Sequence, residues 1–188
     1  MTETQAIPPT PTDASLHEAA LAYLARYAAS RTGVIRVLDR KVARWARLAP
    51  DASAETIAAC RAAVRRVAER LEQAGLINDS DFAAIRARSL TRAGRSRRAV
   101  AAHLGARGVG GEALSEALPD SPENELAACL ILARKRRIGP FRPMDRDEDR
   151  MRELGVLARA GFEHAVALTA LDMSSEEAEE RVIRLRQG

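Results

Sequence analysis

A pattern of one helix, a turn and two further helices recurs three times along this chain. The clearest copy occupies residues 78–118, where Gly108 follows the second helical segment. The third copy ends its second helix at Gly161, and aligning this residue with Gly108 also pairs Leu157 with Leu104. A unit of roughly 40 residues buries too little apolar surface to be stable alone, so the copies must stack on one another.

The composition supports an all-helical fold. Hydrophobic residues make up 46% of the chain and aromatic residues only 3%, because alanine supplies much of the apolar content. Ala, Leu, Arg and Glu favour helix since they lose little side-chain freedom there. Val and Ile nowhere alternate with polar residues between turn signals, as they do in strands. We therefore predict an all-α protein of three tandem three-helix repeats, stacked into an elongated, curved body.

The turn signals set the expected boundaries along the chain. Three prolines and several polar residues lie in residues 1–14, which we expect to form a disordered N-terminal tail. In the second repeat, the spacing predicts that Phe82, Ile85 and Ser89 face the core. The expected repeats are residues 15–77, 78–119 and 120–173, followed by a C-terminal helix over residues 174–188.

Positive charge is concentrated in two segments. Seven arginines and no acidic residue lie between Phe82 and Gly111, although the net charge of the whole chain is only +4. Arg97 and Arg98 lie in the first turn of a helix, where cations oppose the helix dipole. Helix stability alone does not account for them, so a surface that meets phosphates or acidic protein is favoured over a merely solvated face. The second basic cluster is Arg134, Lys135, Arg136 and Arg137.

No catalytic or metal-binding pattern accompanies these charges. The three histidines are far apart and never near cysteine at metal-ligand spacing, so zinc is not expected. The glycines at 108, 110 and 111 follow a helix rather than a strand, which fails the context of a dinucleotide site. Cys60 and Cys129 are expected to be reduced thiols in the core. With neither a signal peptide nor a membrane span in the sequence, we expect a cytoplasmic protein. The missing catalytic patterns favour a binding protein over an enzyme, and no cofactor is expected.

The segment from Leu71 to Val109 resembles the RecX family of bacterial recombination regulators. Two shorter segments, Ala20–Arg31 and Leu157–Phe162, resemble the family's first helix and its last repeat. The first repeat departs from the family pattern at residues 41–50. The residues of the central segment that match the family pattern are Gly75, Leu76, Ile77, Asp79, Phe82, Ala83, Arg88, Ser89, Gly94, Arg97, Arg98, Leu104, Gly108 and Val109.

The resemblance implies a specific partner. RecX-like proteins are non-enzymatic and bind the groove of the RecA–single-stranded DNA filament, where they inhibit RecA in recombination, DNA repair and the SOS response. We accordingly expect a monomer whose partner is the RecA filament, with direct contact to single- or double-stranded DNA as a further option. Apart from Arg107, the expected binding side chains should be solvent-exposed, so reversing their charge should leave folding intact. They are Arg88, Arg92, Arg95, Arg97, Arg98, Arg107, Arg134, Lys135, Arg136 and Arg137.

Two other classes of function stay open. The first is an independent DNA-binding protein, but the helix after Gly108 carries two glutamates and no basic residue, which disfavours direct base readout. The second is a repeat scaffold that binds an acidic protein unrelated to recombination. A pull-down from a bacterial lysate separates these classes.

Overall fold

A computed structural model describes residues 8–144 and 149–187, and within these ranges it is all-helical, as predicted. Ten α-helices and a short 3-10 turn at Gly139–Phe141 account for the regular structure, and no described residue lies in a strand. The helices are α1 (Asp13–Leu24), α2 (Arg31–Leu48), α3 (Ala54–Gln73), α4 (Asp79–Arg92), α5 (Arg97–Gly105), α6 (Gly111–Ala117), α7 (Pro122–Arg136), α8 (Arg150–Arg159), α9 (His164–Asp172) and α10 (Ser175–Gln187).

The described chain divides into two compact units. The first comprises the residues up to Phe82 together with Arg107–Val109, and its core lies among α1, α2 and α3. Helix α2 contributes one apolar face, with core positions spaced by four, four and three residues. Those positions are Val34, Leu38, Val42 and Trp45, and they pack with Leu16 and Ala20 of α1 and with Cys60, Val64, Val67 and Leu71 of α3.

The N-terminal segment differs from the expected tail where the structure describes it. The first seven residues lie outside the described residues, but residues 8–14 pack on the first unit. The Pro8 carbonyl accepts a hydrogen bond from Nε1 of Trp45 at 3.1 Å, and Pro11 is buried. Thr12 then caps α1, which begins two residues before the first position expected from the helical periodicity. Proline supplies no N–H here, but its carbonyl is free to accept.

Helix α7 is the central helix of the second unit, which comprises Ala83–Ala106 and the residues from Gly110 onward. Its buried positions run without interruption from Ala127 to Ile131, so this helix is covered on most of its circumference. Helices α8, α9 and α10 pack against it or against one another. The core partners supplied by these helices and by the α8–α9 turn are Leu157, Phe162, Ala167, Ala170, Leu171, Ala178 and Val182.

Helix α4 buries a different face from the one predicted. Phe82 is buried as expected, but Ile85 is 60% exposed and Ser89 is also exposed. The buried residues are instead Ala83, Ala87 and Leu90, spaced by four and three residues. Close helix packing favours alanine at such positions because a larger side chain would hold the helices apart. The predicted face has the same three- and four-residue spacing as the buried one, so spacing alone did not distinguish the two faces.

Candidate partner-binding surface

The same serine contact occurs at the start of α2 and at the start of α5. Ser30 and Ser96 are the N-cap residues, and the Oγ of each accepts a hydrogen bond from the backbone N–H three residues on, at 3.1 and 3.2 Å. Each Oγ also donates to a distant backbone carbonyl. Ser30 donates to Arg107 at 2.7 Å, and Ser96 donates to Ala160 at 2.8 Å. Both serines are buried. In each case one hydroxyl caps the start of a helix and also holds the turn that contains the acceptor carbonyl.

A carboxylate from another segment accepts a further backbone hydrogen bond at the start of each of these helices. Asp79 accepts a hydrogen bond from the backbone N–H of Arg31 at 2.7 Å, and Glu125 accepts one from that of Arg97 at 2.8 Å. Each carboxylate therefore lies at the positive end of a helix dipole and offsets the arginine there. Burial raises the pKa of the Glu125 carboxyl, while the hydrogen bond from Arg97 opposes that shift.

The arginines of α4 and α5 form the centre of the predicted site, which we call the α4–α5 basic surface (Arg88, Arg92, Arg95, Arg97 and Arg98). Arg88 and Arg92 lie one turn apart on α4, and both line a cleft of about 440 Å³. Arg97 also lines this cleft. Among the described residues, Arg88, Arg92, Arg95 and Arg98 form no ion pair. Their charge is therefore available to a partner.

Arg97 has a structural role that the sequence did not reveal. Its Nε and Nη2 donate hydrogen bonds to the carbonyl of Leu118 at 3.3 and 3.2 Å, just beyond the end of α6. A cation at this position satisfies an orphan carbonyl at a helix C-terminus. The expectation that charge reversal leaves folding intact is therefore corrected at Arg97, whose reversal would break this contact.

The second basic cluster is only partly available. Arg134 pairs with Glu179 of α10 at 2.9 Å, and Nζ of Lys135 donates to the carbonyl of Ala93 at 2.7 Å. The lysine contact brings this cluster against the α4–α5 turn, which carries Arg95. Arg136 and Arg137 are exposed at the end of α7.

Arg107 belongs to the first unit, whereas the other residues of the predicted set belong to the second. Its side chain is half-buried, and its carbonyl receives the Ser30 hydrogen bond. The structure therefore brings Arg88, Arg92 and Arg97 together in the lining of one cleft and places Lys135 against the α4–α5 turn, whereas Arg107 belongs to the other unit.

A row of arginines on α2 is absent from the predicted set. Its members are exposed and are spaced by four, four and three residues, each two positions after a core residue of the same helix. They therefore point away from the core over about 16 Å of helix. The spacing was visible in the sequence and would have revealed this face. This α2 arginine row is Arg36, Arg40, Arg44 and Arg47.

Two further residues of the cleft were also missed. Arg181 and Arg184 of α10 line it, although the sequence predicted only a C-terminal helix there. Their contribution could not be read from the sequence because it depends on how α10 packs against α7.

The described residues include neither a metal-binding cluster nor an exposed cysteine. They contain no group of three or more His, Cys, Asp or Glu side chains that could hold a metal ion. Both cysteines are free and buried, and burial raises the pKa of Cys60 and raises that of Cys129 to about 12. Such thiols are poor nucleophiles at neutral pH. None of the described helices has the length and apolar character needed to cross a membrane.

Comparison with known proteins gives matches at both the sequence and the structural level. A family model for the second three-helix domain of RecX matches residues 78–118, which contain α4, α5 and α6. The regulatory protein RecX of Myxococcus xanthus is 39% identical over 161 residues, covering 84% of each chain. That of Agrobacterium fabrum is 38% identical over 105 residues, covering 55% of this chain and 56% of its own.

Two solved structures share the fold. A crystal structure of regulatory protein RecX superimposes with a TM-score of 0.62 at 22% identity, over 86% of this chain and 72% of its own. The structure of RecX from Lactobacillus salivarius gives a TM-score of 0.57 at 18% identity, over 89% of this chain and 97% of its own. At these identities the likeness shows the fold alone.

Proposed function

Because this chain belongs to the RecX family of regulatory proteins, we propose that it is a non-enzymatic inhibitor of RecA that binds the RecA–single-stranded DNA filament. In this role it regulates recombination, DNA repair and the SOS response. The observation that supports a direct binding role most strongly is the α4–α5 basic surface. Four of its arginines form no ion pair among the described residues, so their field is directed outward to a partner that carries negative charge.

The test is RecA's DNA-dependent ATP hydrolysis in the presence of this protein. We expect equimolar parent protein to lower RecA turnover and to hydrolyse no ATP itself. Arg95→Glu with Arg98→Glu should relieve this inhibition because it reverses two charges of the α4–α5 basic surface. The fold should be retained because neither side chain has an ion-pair partner among the described residues to lose. The matched control is Arg61→Glu with Arg65→Glu on α3, which makes the same charge change at exposed positions. Unchanged RecA turnover with the parent protein, across a range of salt, would contradict the proposal.

The α2 arginine row favours a second candidate function, direct binding of nucleic acid. Arg40 and Arg44 are exposed one turn apart, and the row spans about 16 Å. One strand of B-DNA presents a phosphate about every 3.4 Å along its axis, so the row can reach several phosphates. If each member contacts one phosphate on a single strand, log affinity falls with log salt by roughly 0.7 per contact.

Binding of bare single-stranded DNA tests this second candidate. Arg40→Glu with Arg44→Glu should weaken the binding and reduce its salt dependence, whereas the α3 control pair should change both less. Parent protein that does not bind bare DNA even at low salt would exclude this candidate. A lysate pull-down that captures an acidic protein other than RecA would instead favour the scaffold alternative.

A further inference from the structure

The cleft beside α4 carries both signs of charge, segregated by the elements that line it. Helices α4 and α10 contribute arginines, among them Arg88, Arg92 and Arg184. The end of α6 and the start of α7 contribute the glutamates Glu116 and Glu123, and Glu125 also lines the cleft. An occupant that satisfies this lining must therefore carry both an acidic and a basic group, or at least avoid placing negative charge against the glutamates.

The charged side chains surround an apolar floor. Ala87, Leu118 and Ala127 are almost fully buried and line the cleft, and Leu185 of α10 joins them. The volume of about 440 Å³ is within the usual range for sites that enclose a small ligand or a few side chains. A floor of this kind stabilises an aliphatic side chain through burial of apolar surface.

Nucleic acid fits this cleft poorly. Three carboxylates in the lining repel phosphates, and burial of Glu125 adds a cost to any further negative charge placed beside it. None of the described residues that line the cleft is aromatic, so no ring is available for a base to stack on. No member of the α2 arginine row lines this cleft, so the two surfaces can bind different partners.

We propose that this cleft binds a peptide segment of a protein partner. The segment places an aliphatic residue on the apolar floor, a carboxylate against Arg88 and Arg184, and a basic side chain against Glu116 or Glu123. Helix α10 is part of the site because Arg184 is exposed and forms no ion pair among the described residues, whereas Arg181 already pairs with Glu177 at 3.0 Å. The choice of the RecA filament as one probe rests on the proposed function.

Two neighbouring arginines of α10 provide a matched pair of variants. Arg184 and Arg186 are both exposed, but only Arg184 lines the cleft. Binding is measured to the RecA filament on single-stranded DNA and to the same DNA without RecA. Arg184→Glu should weaken filament binding about tenfold, equivalent to about 1.4 kcal/mol. Arg186→Glu should weaken it less than about twofold, since that loss reflects net charge alone, and the two variants should bind bare DNA alike.

A neutral variant removes the effect of charge. Ala84 lines the cleft and is half-buried, whereas the adjacent Ile85 is exposed and does not line it. Ala84→Phe should fill the cleft and weaken filament binding without changing the affinity for bare DNA, and Ile85→Phe should change neither. If Ala84→Phe does not fold, the Arg184→Glu and Arg186→Glu pair still decides the result. When the parent protein binds the filament, equal filament affinities for that pair, or a parallel loss on bare DNA, overturn the proposal.

A probe without RecA separates failure of this proposal from failure of the proposed function. An amphipathic peptide of Leu, Glu and Lys is added to the ¹⁵N-labelled protein, and a thymidine oligonucleotide is added to a second sample. The peptide should shift the amide resonances of Ala84, Arg88 and Arg184, and the oligonucleotide should leave them in place. This result without filament binding would reject RecA as the partner and retain the peptide site. Shifts of these amides with the oligonucleotide alone, or no shift with the peptide at millimolar concentration, overturn the peptide site.

Discussion

The hydroxyl of Ser96 donates a hydrogen bond to the carbonyl of Ala160 at 2.8 Å while it accepts one from the N–H of Ala99 at 3.2 Å. The serine is fully buried, so neither bond has water as an alternative partner. Ser30 makes the same pair of bonds at the start of α2. The cap of a helix and the position of a turn 64 residues away therefore depend on one atom.

Removing this atom should cost more than removing an ordinary helix cap. Loss of an N-cap hydroxyl costs about 1 kcal/mol, and leaving a buried carbonyl without a partner adds about 1–3 kcal/mol. Ser96→Ala should therefore lower the free energy of unfolding by about 2–4 kcal/mol in urea titrations. The control is Ser53→Ala, since Ser53 caps α3 at an exposed site without a distant carbonyl acceptor. Equal losses for the two variants would show that the contact with Ala160 contributes nothing.

Glycine at position 161 should be required for two separate reasons. Its φ is +96°, and an added Cβ would lie 2.6 Å from Oγ of Ser96. Gly75 has a similar φ of +72° but no atom near its would-be Cβ. Gly75→Ala should cost about 1 kcal/mol from backbone strain alone, and Gly161→Ala should cost about 1–3 kcal/mol more from the steric clash. Thermal unfolding measures both, and comparable melting temperatures would argue against the clash.

Two carboxyl groups should affect the pH dependence of stability in opposite ways. Burial raises the pKa of Glu125, so its contribution to stability is present below the unfolded-state pKa and is lost as pH rises through the folded-state pKa. Glu125→Gln keeps an oxygen that can accept from the Arg97 N–H and avoids the cost of ionisation. The variant should therefore be at least as stable as the parent at about pH 7. Its free energy of unfolding should fall relative to that of the parent as pH falls towards about 4.

The Arg66 guanidinium, with Arg70, lowers the pKa of Asp13. The contribution of the Asp13 carboxyl to stability is present above its unfolded-state pKa and is lost as pH falls through its folded-state pKa. Asp13→Asn should thus be less stable than the parent at neutral pH, and the difference should close in acid. Urea titrations of both variants across this pH range test the two predicted pH dependences. For either variant, a stability difference from the parent that does not vary with pH would contradict its prediction.

The cysteines should resist thiol reagents in the folded protein. With a pKa of about 12, Cys129 has a thiolate fraction at pH 8 on the order of 1 in 10,000. A Cys60→Ser variant, which isolates Cys129, should react with a disulfide reagent only as fast as the protein opens. After unfolding in urea, the thiol should react completely. Cys60 lies under Pro11, whose carbonyl is 3.5 Å from its sulfur, so opening of the N-terminal segment should expose it sooner. Rapid labelling of the folded Cys60→Ser variant would contradict the burial of Cys129.

Helix starts and stops were readable from the sequence because their causes are local. Ser96, a residue type that favours the N-cap, caps α5, and Gly94, Gly108 and Gly161 adopt the positive φ values that favour the end of a helix. Each signal involves atoms within a few residues of one another. The all-α fold class follows from these signals together with the helical periodicity.

Contacts between distant segments were not readable in the same way. Glu125 reaches the start of α5 across 28 residues, and only the packing of α7 brings it there. The guanidinium of Arg97 likewise has an acceptor because α6 ends beside it. Ile85 shows the same limit, since which face of α4 is buried depends on how closely its neighbours approach. The sequence therefore identified a basic segment but could not separate the arginines that hold the fold from those left for a partner.

The hydrogen bond from Ser30 has a consequence for the order of synthesis. Its acceptor, the carbonyl of Arg107, lies 77 residues further along the chain. A ribosome adding about 5–20 residues per second makes that carbonyl roughly 4–15 s after the serine. Until then the nascent helices α1 to α3 carry a cap hydroxyl without its second partner. The hydrogen bonding of the first unit is thus completed only by residues that are translated after most of the second repeat.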